Sequence, residues 1–186
     1  VVIGVGLGLL NGVIVTKLKI PSFIVTLCTQ NLWAFIALYF CPNGSVAVGM
    51  EYRKEISWMT SKVAGIPVIF FFAVVVVILL YIFQQYTPSG RAIFAVGANI
   101  RSTRLAGVDT DKAQIMAFVV SGACSSLAGA LYAYKQKSAV PTIGDALTLS
   151  AIASIALGGT SMAGGRGSVL RTTIGVITIT AITSRS

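Results

Sequence analysis

Charged residues interrupt this chain so rarely that four long apolar stretches dominate it. The uncharged stretches cover residues 20–50, 63–90, 113–134 and 146–165. A bilayer core is crossed by roughly 20 apolar residues in helix, so each stretch is long enough to cross once. Only 10% of the residues are charged, against about 25% in soluble domains. The pattern predicts an all-α, polytopic transmembrane helical bundle and excludes a soluble enzyme, a disordered chain and a disulfide scaffold.

Polar connections divide the chain into about five to six expected membrane segments. Full spans are predicted at residues 1–15, 21–40, 66–83 and 113–134. The apolar segment 146–157 is too short for a straight crossing and is predicted to be a half-crossing or a buried helix. A last span starts near residue 172 and is cut short by the end of the sequence. We therefore expect one transmembrane domain over residues 1–186, truncated at both ends.

The two longest connections carry further signals of local structure. Residues 41–65 are expected to hold a short surface helix. In the connection 84–112, Asn99 is placed to cap a short helix over residues 100–106, which Gly107 ends. Asp109 or Thr110 is then expected to cap the next span.

The distribution of Lys and Arg gives an expected orientation, because cytoplasmic loops of membrane proteins are enriched in these residues. We take the connection at Lys17 as cytoplasmic and let the spans alternate. The inside set is then Lys17, Lys19, Arg91, Arg101, Arg104, Lys112, Arg166 and Arg171. The smaller outside set is Arg53, Lys54, Lys62, Lys135, Lys137 and Arg185.

Two stripes of small residues lie within the predicted spans at four-residue spacing. They are Gly4, Gly8 and Gly12, and Ser121, Ser125 and Gly129. Residues four apart share one face of a helix, and small side chains let two helix backbones approach closely in lipid. Both stripes are therefore predicted to be helix-packing surfaces.

The second span carries a polar face inside an otherwise apolar sequence. Thr26, Gln30 and Trp33 share one side of the helix, and Asn31 lies beside them. Intramembrane polar side chains usually face a bundle interior or a water-filled path. The face is interpreted either as the wall of a transport path for a polar solute or as hydrogen-bonded contacts between helices.

The ionisable residues do not form a catalytic or cofactor site. All five acids lie in connections: Glu51, Glu55, Asp109, Asp111 and Asp145. Acid–base chemistry at membrane depth needs paired ionisable groups, so the chain is predicted not to be an enzyme. With no histidine and no CxxC pair, no metal site and no cofactor are expected. The net charge of +9 is spread over short connections, which argues for membrane lipid and against nucleic acid as a partner.

Residues 158–168 read GGTSMAGGRGS, a glycine-rich segment that is not a phosphate loop. The P-loop pattern GxxxxGK[ST] needs a lysine that is missing here, so any ATP hydrolysis belongs to another chain. The segment is interpreted either as a specific interaction surface or as a flexible turn; its candidate residues are Gly158, Gly159, Thr160, Ser161, Gly164, Gly165, Arg166 and Gly167. Arg101 and Arg104 are interpreted likewise, as a partner surface or as solvated loop cations.

Three stretches together resemble the membrane-spanning permease subunits of bacterial ABC importers of the ribose/simple-sugar type. They read GLLNGVIVTKLKIPSFIVTL at residues 8–27, GRAIFAVGANIRSTRLAGVDTDKAQIMAFVVSGACSSLAGALYA at 90–133, and AIASIALGGTSMAGGRGSV at 151–169. The third is the most specific and is similar to the family's transmembrane signature. The chain departs from that pattern at Thr148 and Ser150, where acids are usual, and at Arg171, where a small residue is usual.

The resemblance implies a permease that pairs with a second copy or homologue in the bacterial inner membrane. It implies a cytoplasmic ABC ATPase subunit and an extracytoplasmic solute-binding protein that delivers a monosaccharide or related polyol. It also implies that the glycine-rich segment and the Arg101/Arg104 helix lie on the cytoplasmic side and couple to the ATPase. Two alternatives stay open: a permease for branched-chain amino acids or another small polar solute, and a non-transporting membrane scaffold.

Overall fold

The computed structural model describes residues 1–41, 44–47, 62–63, 66–141, 143–161, 164–165 and 167–183. The helices within these ranges are α1 (Val2–Leu18), α2 (Ser22–Phe40), α3 (Val68–Tyr86), α4 (Pro88–Ala98), α5 (Ile100–Leu105), α6 (Thr110–Gln136), α7 (Ile143–Leu157) and α8 (Val169–Thr183). Four two-residue strands accompany them: β1 (Val46–Ala47), β2 (Lys62–Val63), β3 (Ile66–Pro67) and β4 (Ser138–Ala139). They form two antiparallel pairs, β1 with β4 and β2 with β3.

Among the described residues, three helices are long and apolar enough to cross a membrane, namely α2, α3 and α6. Helices α1 and α8 and the part Leu147–Leu157 of α7 are shorter apolar segments. The predicted all-α, polytopic class is thereby confirmed. The predicted spans differ from the helices mainly at their ends, since α3 continues to Tyr86 and α6 to Gln136. The surface helix expected within residues 41–65 falls almost wholly outside the described residues.

The chain forms two compact units. The first unit comprises residues 1–72 and 114–142. Its closest helix contact joins α1 to α6. Gly4, Gly8 and Gly12 are the buried residues of α1, and a Cβ on Gly12 would lie 3.0 Å from the Cα of Ile115. In the absence of a hydrophobic driving force between helices in lipid, such close backbone packing is what holds two helices together.

The partner face on α6 is one position away from the predicted stripe. Gly4 packs on Gly122 and Ser126, and Gly8 packs on the backbone of Phe118. Ser121 and Ser125 are exposed, and a Cβ on Gly129 would meet nothing within 4 Å. Small-residue spacing indicates that a packing stripe exists, but neighbouring serines and glycines on α6 give two overlapping stripes. The contact with α1 uses Gly122 and Ser126, and the role of Ser121, Ser125 and Gly129 in helix packing stays a prediction.

The second unit comprises residues 73–113 and 143–186, and its helix α4 corrects the expectation of a loop before Asn99. Thr87 caps α4, because its Oγ1 accepts a hydrogen bond from the backbone N–H of Gly90 at 3.0 Å. Pro88 follows at the first helical position, where its fixed φ fits and its missing N–H costs nothing. The Thr-Pro pair at its start is the sequence signal for this helix. The arginine and glycines that follow give the segment the composition of a loop.

Helix α5 begins and ends where the sequence predicts. The Oδ1 of Asn99 accepts a hydrogen bond from the N–H of Ser102 at 3.1 Å. At the other end the N–H of Gly107 donates to the carbonyl of Arg104, and the N–H of Val108 to that of Thr103. This pair of hydrogen bonds is the Schellman motif, and it satisfies carbonyl groups in the last turn of the helix.

The start of α6 resolves the choice between two predicted caps in favour of Asp109. Its Oδ1 accepts a hydrogen bond from the backbone N–H of Lys112 at 3.1 Å, while Thr110 is the first residue of α6. The hydrogen bonds from the backbone and the side chain of Lys112 hold the pKa of the Asp109 carboxyl below its ordinary value. The carboxylate is therefore charged at neutral pH and favours the positive end of the helix dipole.

We predict that Gly8→Ala lowers the free energy of unfolding by about 1–3 kcal/mol, because its new methyl group would overlap the Phe118 carbonyl. Gly6→Ala is the matched control, since a Cβ there meets nothing within 4 Å and alanine favours helix over glycine. Denaturant unfolding in detergent micelles measures both. Equal destabilisation by the two variants would contradict the α1–α6 contact.

Candidate functional site

The glycine-rich segment connects α7 to α8; we call residues 158–167 the glycine junction, of which the structure describes 158–161, 164–165 and 167. It starts with a cap on α7, where Gly159 adopts φ +70°, a conformation that residues with a Cβ rarely adopt. The N–H of Gly159 donates to Ala156 and the N–H of Thr160 to Ile155, which is again the Schellman pattern. The described part of the junction is therefore an ordered turn.

Helices α7 and α8 approach each other through small residues on both sides of the junction. A Cβ on Gly158 would lie 2.7 Å from the carbonyl oxygen of Arg171. Gly175 packs on the carbonyl of Ser154, a residue that is only 3% exposed. Across the turn, the hydroxyls of Thr160 and Thr172 are hydrogen bonded at 3.0 Å. Helices α7 and α8 are thus held together by backbone contact and by the hydrogen bond between Thr160 and Thr172.

The end of α4 lies directly against the junction within the same unit. A Cβ on Gly97 would lie 2.7 Å from the backbone nitrogen of Gly165, and a Cβ on Gly164 would lie 2.9 Å from the Gly97 carbonyl oxygen. Gly165 in turn contacts the backbone of Ala98. The two backbones can approach this closely because Gly97, Gly164 and Gly165 carry no side chain at the contact. The structure therefore unites two of the sequence-predicted regions, the glycine junction and the connection before Arg101.

Gln84, near the end of α3, contacts the far side of the junction and was not predicted from the sequence. Its Oε1 accepts a hydrogen bond from the backbone N–H of Val169 at 3.0 Å. Its Nε2 lies 3.5 Å from the carbonyl oxygen of Gly167. These partners are more than 80 residues away in the sequence, and no local pattern could have revealed them. An amide at the end of an apolar helix was the available hint.

The two arginines of α5 have different surroundings. Arg104 donates from Nη2 to the Thr110 hydroxyl at 2.7 Å and to Asp111 Oδ1 at 3.2 Å, and Thr110 is only 2% exposed. Arg104 therefore ties α5 to the start of α6. Arg101 is exposed and makes no ion pair with any described residue. Beside it, Leu105 is 90% exposed, an apolar residue that the sequence analysis did not select.

The predicted polar face of α2 lies in the first unit. Thr26 donates from Oγ1 to the carbonyl of Ser22 at 3.0 Å, and Asn31 donates from Nδ2 to the carbonyl of Leu27 at 2.8 Å. Gln30 has a contact of its own, and Trp33 is exposed. Bonds within the helix use the hydroxyl hydrogen of Thr26 and one of the two amide hydrogens of Asn31.

Arg166 lies outside the described residues. Among the residues that the structure describes, no three His, Cys, Asp or Glu side chains form a group that could hold a metal ion.

Curated relatives of this chain are transport permeases. It is 38% identical over 179 residues to the ribose import permease protein RbsC of Haemophilus influenzae, which is 95% of this chain and 55% of that protein. It is 33% identical to RbsC of Bacillus subtilis (91% and 52%) and 32% identical to the D-allose transport system permease protein AlsC of Escherichia coli (98% and 55%). The chain thus spans about half the length of these relatives. No solved structure is significantly similar to it.

The chain also matches a protein family over residues 1–185; the family is described as "Branched-chain amino acid transport system / permease component". This match covers nearly the whole sequence and includes α2, α3 and α6, which are long and apolar enough to cross a bilayer. The protein is therefore a multi-pass inner-membrane protein and belongs to this permease family.

Proposed function

We propose that this chain is part of the membrane-spanning permease subunit of an ATP-driven importer, and that its solute is a monosaccharide or related polyol. The observation that carries the proposal is that the curated relatives reported above are ribose import permeases and a D-allose transport permease, which match over 91% or more of the chain. A permease component needs no catalytic group of its own. In this role the apolar helices enclose the path, and the energy comes from another subunit.

The solute class is the part of the proposal that competes with an alternative. The family description names branched-chain amino acids, whose charged ends require ionic partners in the path. The polar side chains of α2 include Thr26, Gln30 and Asn31, and the helix carries no charged residue. Neutral hydroxyl and amide groups are suited to hydrogen bonding with sugar hydroxyls. Together with the relatives' names, this favours a neutral polyhydroxylated solute.

The proposed energy source is a separate cytoplasmic ATPase that docks on the second unit. Arg101 and Leu105 are four residues apart on α5, so they share one helix face. An exposed cation beside an exposed leucine fits a partner surface with an apolar pocket and an acidic rim. The glycine junction contacts the neighbouring helix α4 through Gly97. Motion of a docked ATPase can therefore enter the helices through both elements.

The proposed mechanism is a two-state switch between outward-open and inward-open helices. ATP binding closes the ATPase pair and displaces α5 and the glycine junction. The helices α7 and α8, which the junction joins, follow that displacement. The polar face of α2 contributes to the path in this proposal, and a solute-binding protein outside the membrane delivers the solute. A second permease copy or homologue completes the path.

Reconstitution tests the proposed function. The complete transporter, with its ATPase and solute-binding protein, is placed in liposomes with ATP, and uptake of radiolabelled ribose, allose and leucine is compared. We expect ATP-dependent uptake of a sugar and none of leucine. Leucine uptake alone would establish the amino-acid alternative. ATPase binding without uptake of any solute would favour a scaffold.

We predict that Arg101→Glu and Leu105→Asp each weaken binding of the ATPase subunit at least about tenfold, since each removes an interfacial contact expected to contribute more than about 1.4 kcal/mol. Lys135→Glu is the matched control, because it makes the same change of charge at an exposed site near the other end of α6. Binding is measured by titrating labelled ATPase into nanodiscs. Similar losses for all three variants would contradict docking on α5.

We predict that Gly165→Glu abolishes ATP-driven uptake. A side chain there is strained by the φ of +72° and overlaps the backbone of Ala98. Gly144→Glu serves as the control, since a Cβ at that position meets nothing within 4 Å. Uptake and ATP hydrolysis are measured together in liposomes. Normal solute-stimulated hydrolysis and uptake in Gly165→Glu would remove the glycine junction from the coupling pathway.

A further inference from the structure

We propose that Gln84 is a positioning residue that fastens the glycine junction to α3, so that displacement of the junction moves α3 together with α7 and α8. The inference rests on the proposed function, since it assigns a role in coupling. It is carried by the two contacts of the Gln84 amide, to Val169 on α8 and to Gly167 in the junction.

The stronger contact acts as a helix cap supplied from another helix. Val169 is the first residue of α8, and the first N–H groups of a helix have no partner within it. Gln84 Oε1 accepts the Val169 N–H at 3.0 Å. The N–H of Thr172, by contrast, is already bonded to the carbonyl of Ser168. The start of α8 thus depends on a side chain that belongs to α3.

The second amide atom continues the contact into the junction. Nε2 lies 3.5 Å from the Gly167 carbonyl oxygen, at the long end of hydrogen-bond distances. The Val169 N–H can only donate, which fixes Oε1 towards α8 and leaves Nε2 as the donor towards Gly167. One planar amide therefore contacts both Gly167, the last residue of the glycine junction, and Val169, the first residue of α8.

The position of this amide in α3 indicates a specific role. Helix α3 is the most apolar of the candidate spans, with a mean hydropathy of 2.6. Gln84 is half-buried, and the adjacent Gln85 is exposed. A buried amide costs free energy unless it is hydrogen bonded. In Gln84 that requirement is met only by the junction and α8, among the contacts of the described residues, which makes their relative position well defined.

The turn after α3 transmits this constraint to α4. The Thr87 hydroxyl donates to the Phe83 carbonyl at 2.6 Å and accepts from the Gly90 N–H at 3.0 Å. Gly90 in turn packs on the backbone of Gln84, where its Cβ would be 2.9 Å from the Cα. The residue that binds the junction is therefore anchored to the helix whose other end contacts Gly165. Motion of the junction reaches α3 at Gln84 and α4 at Gly97.

The test measures solute molecules imported per ATP hydrolysed in the reconstituted complete transporter. Gln84→Met has similar length and removes both hydrogen bonds, whereas Gln84→Asn keeps an amide that is too short to reach both partners. We expect both variants to bind the ATPase normally and to lower the transport ratio about five- to tenfold. Gln85→Met, the control on the exposed neighbour, keeps the wild-type ratio. A wild-type ratio in Gln84→Met overturns the proposal.

A second measurement does not need transport and separates this inference from the proposed function. Hydrogen exchange of the first turn of α8 is followed in detergent, with the expectation that Gln84→Met speeds exchange at the Val169 amide about five- to tenfold and Gln85→Met does not. If wild-type protein imports no solute, the proposed function fails, while exchange still reports on the contact. Unchanged exchange in Gln84→Met overturns the contact itself, even where the proposed function holds.

Discussion

The structure depends on one constraint, which is that a bilayer core offers backbone groups no water to bond with. Every N–H and carbonyl in a span must find its partner within the protein, so the spans are helices. The first N–H groups and last carbonyls of each helix have no partner within it and need one from a cap or a neighbouring segment. The second unit meets this demand with caps at several of its described helix ends. Thr87, Asn99 and Asp109 accept N–H groups at helix starts, and the turns after α5 and α7 satisfy the last carbonyls. At α8 the cap comes from Gln84, a residue of another helix, which turns a local requirement into a tertiary contact.

The same solvent also changes what holds the helices together. Lipid tails are as apolar as the side chains, so burial adds little to association, and close approach of backbones has to provide the attraction. Helix α1 packs on Gly122 of α6 through its own glycines, and α7 packs on α8 through Gly158 and Gly175. The large apolar side chains are left on the outside: Phe35 and Ile3 are 71% and 79% exposed. That distribution is the reverse of a soluble domain and follows directly from the surroundings.

Hydropathy and capping rules predicted much of this architecture, because both act over short distances along the chain. The three long spans, the short helix α5 and the cap at Asn99 all follow from neighbouring residues. Helix α4 was missed because its residues are mixed in polarity and only its Thr-Pro start marks it. The predicted α6 stripe lies one position away from the contact with α1, because small residues occupy adjacent positions there. In the candidate site, the glycine-rich residues and Arg101 were selected from composition. Gln84 and Leu105 were identified only from the fold, because the local sequence shows neither the hydrogen bonds of Gln84 nor the exposure of Leu105.

The meeting of Gly97 with Gly165 has a consequence for how such proteins are compared. Contacts between side chains leave a record in related sequences, because a change on one side can be compensated by a change on the other. Two bare backbones in contact have nothing to exchange, so no second substitution can rescue the first. Methods that infer proximity from correlated substitutions will therefore be blind to this junction, although it is among the closest approaches in the second unit. Its presence in a distant homologue has to be inferred from the retention of both glycines, one position at a time.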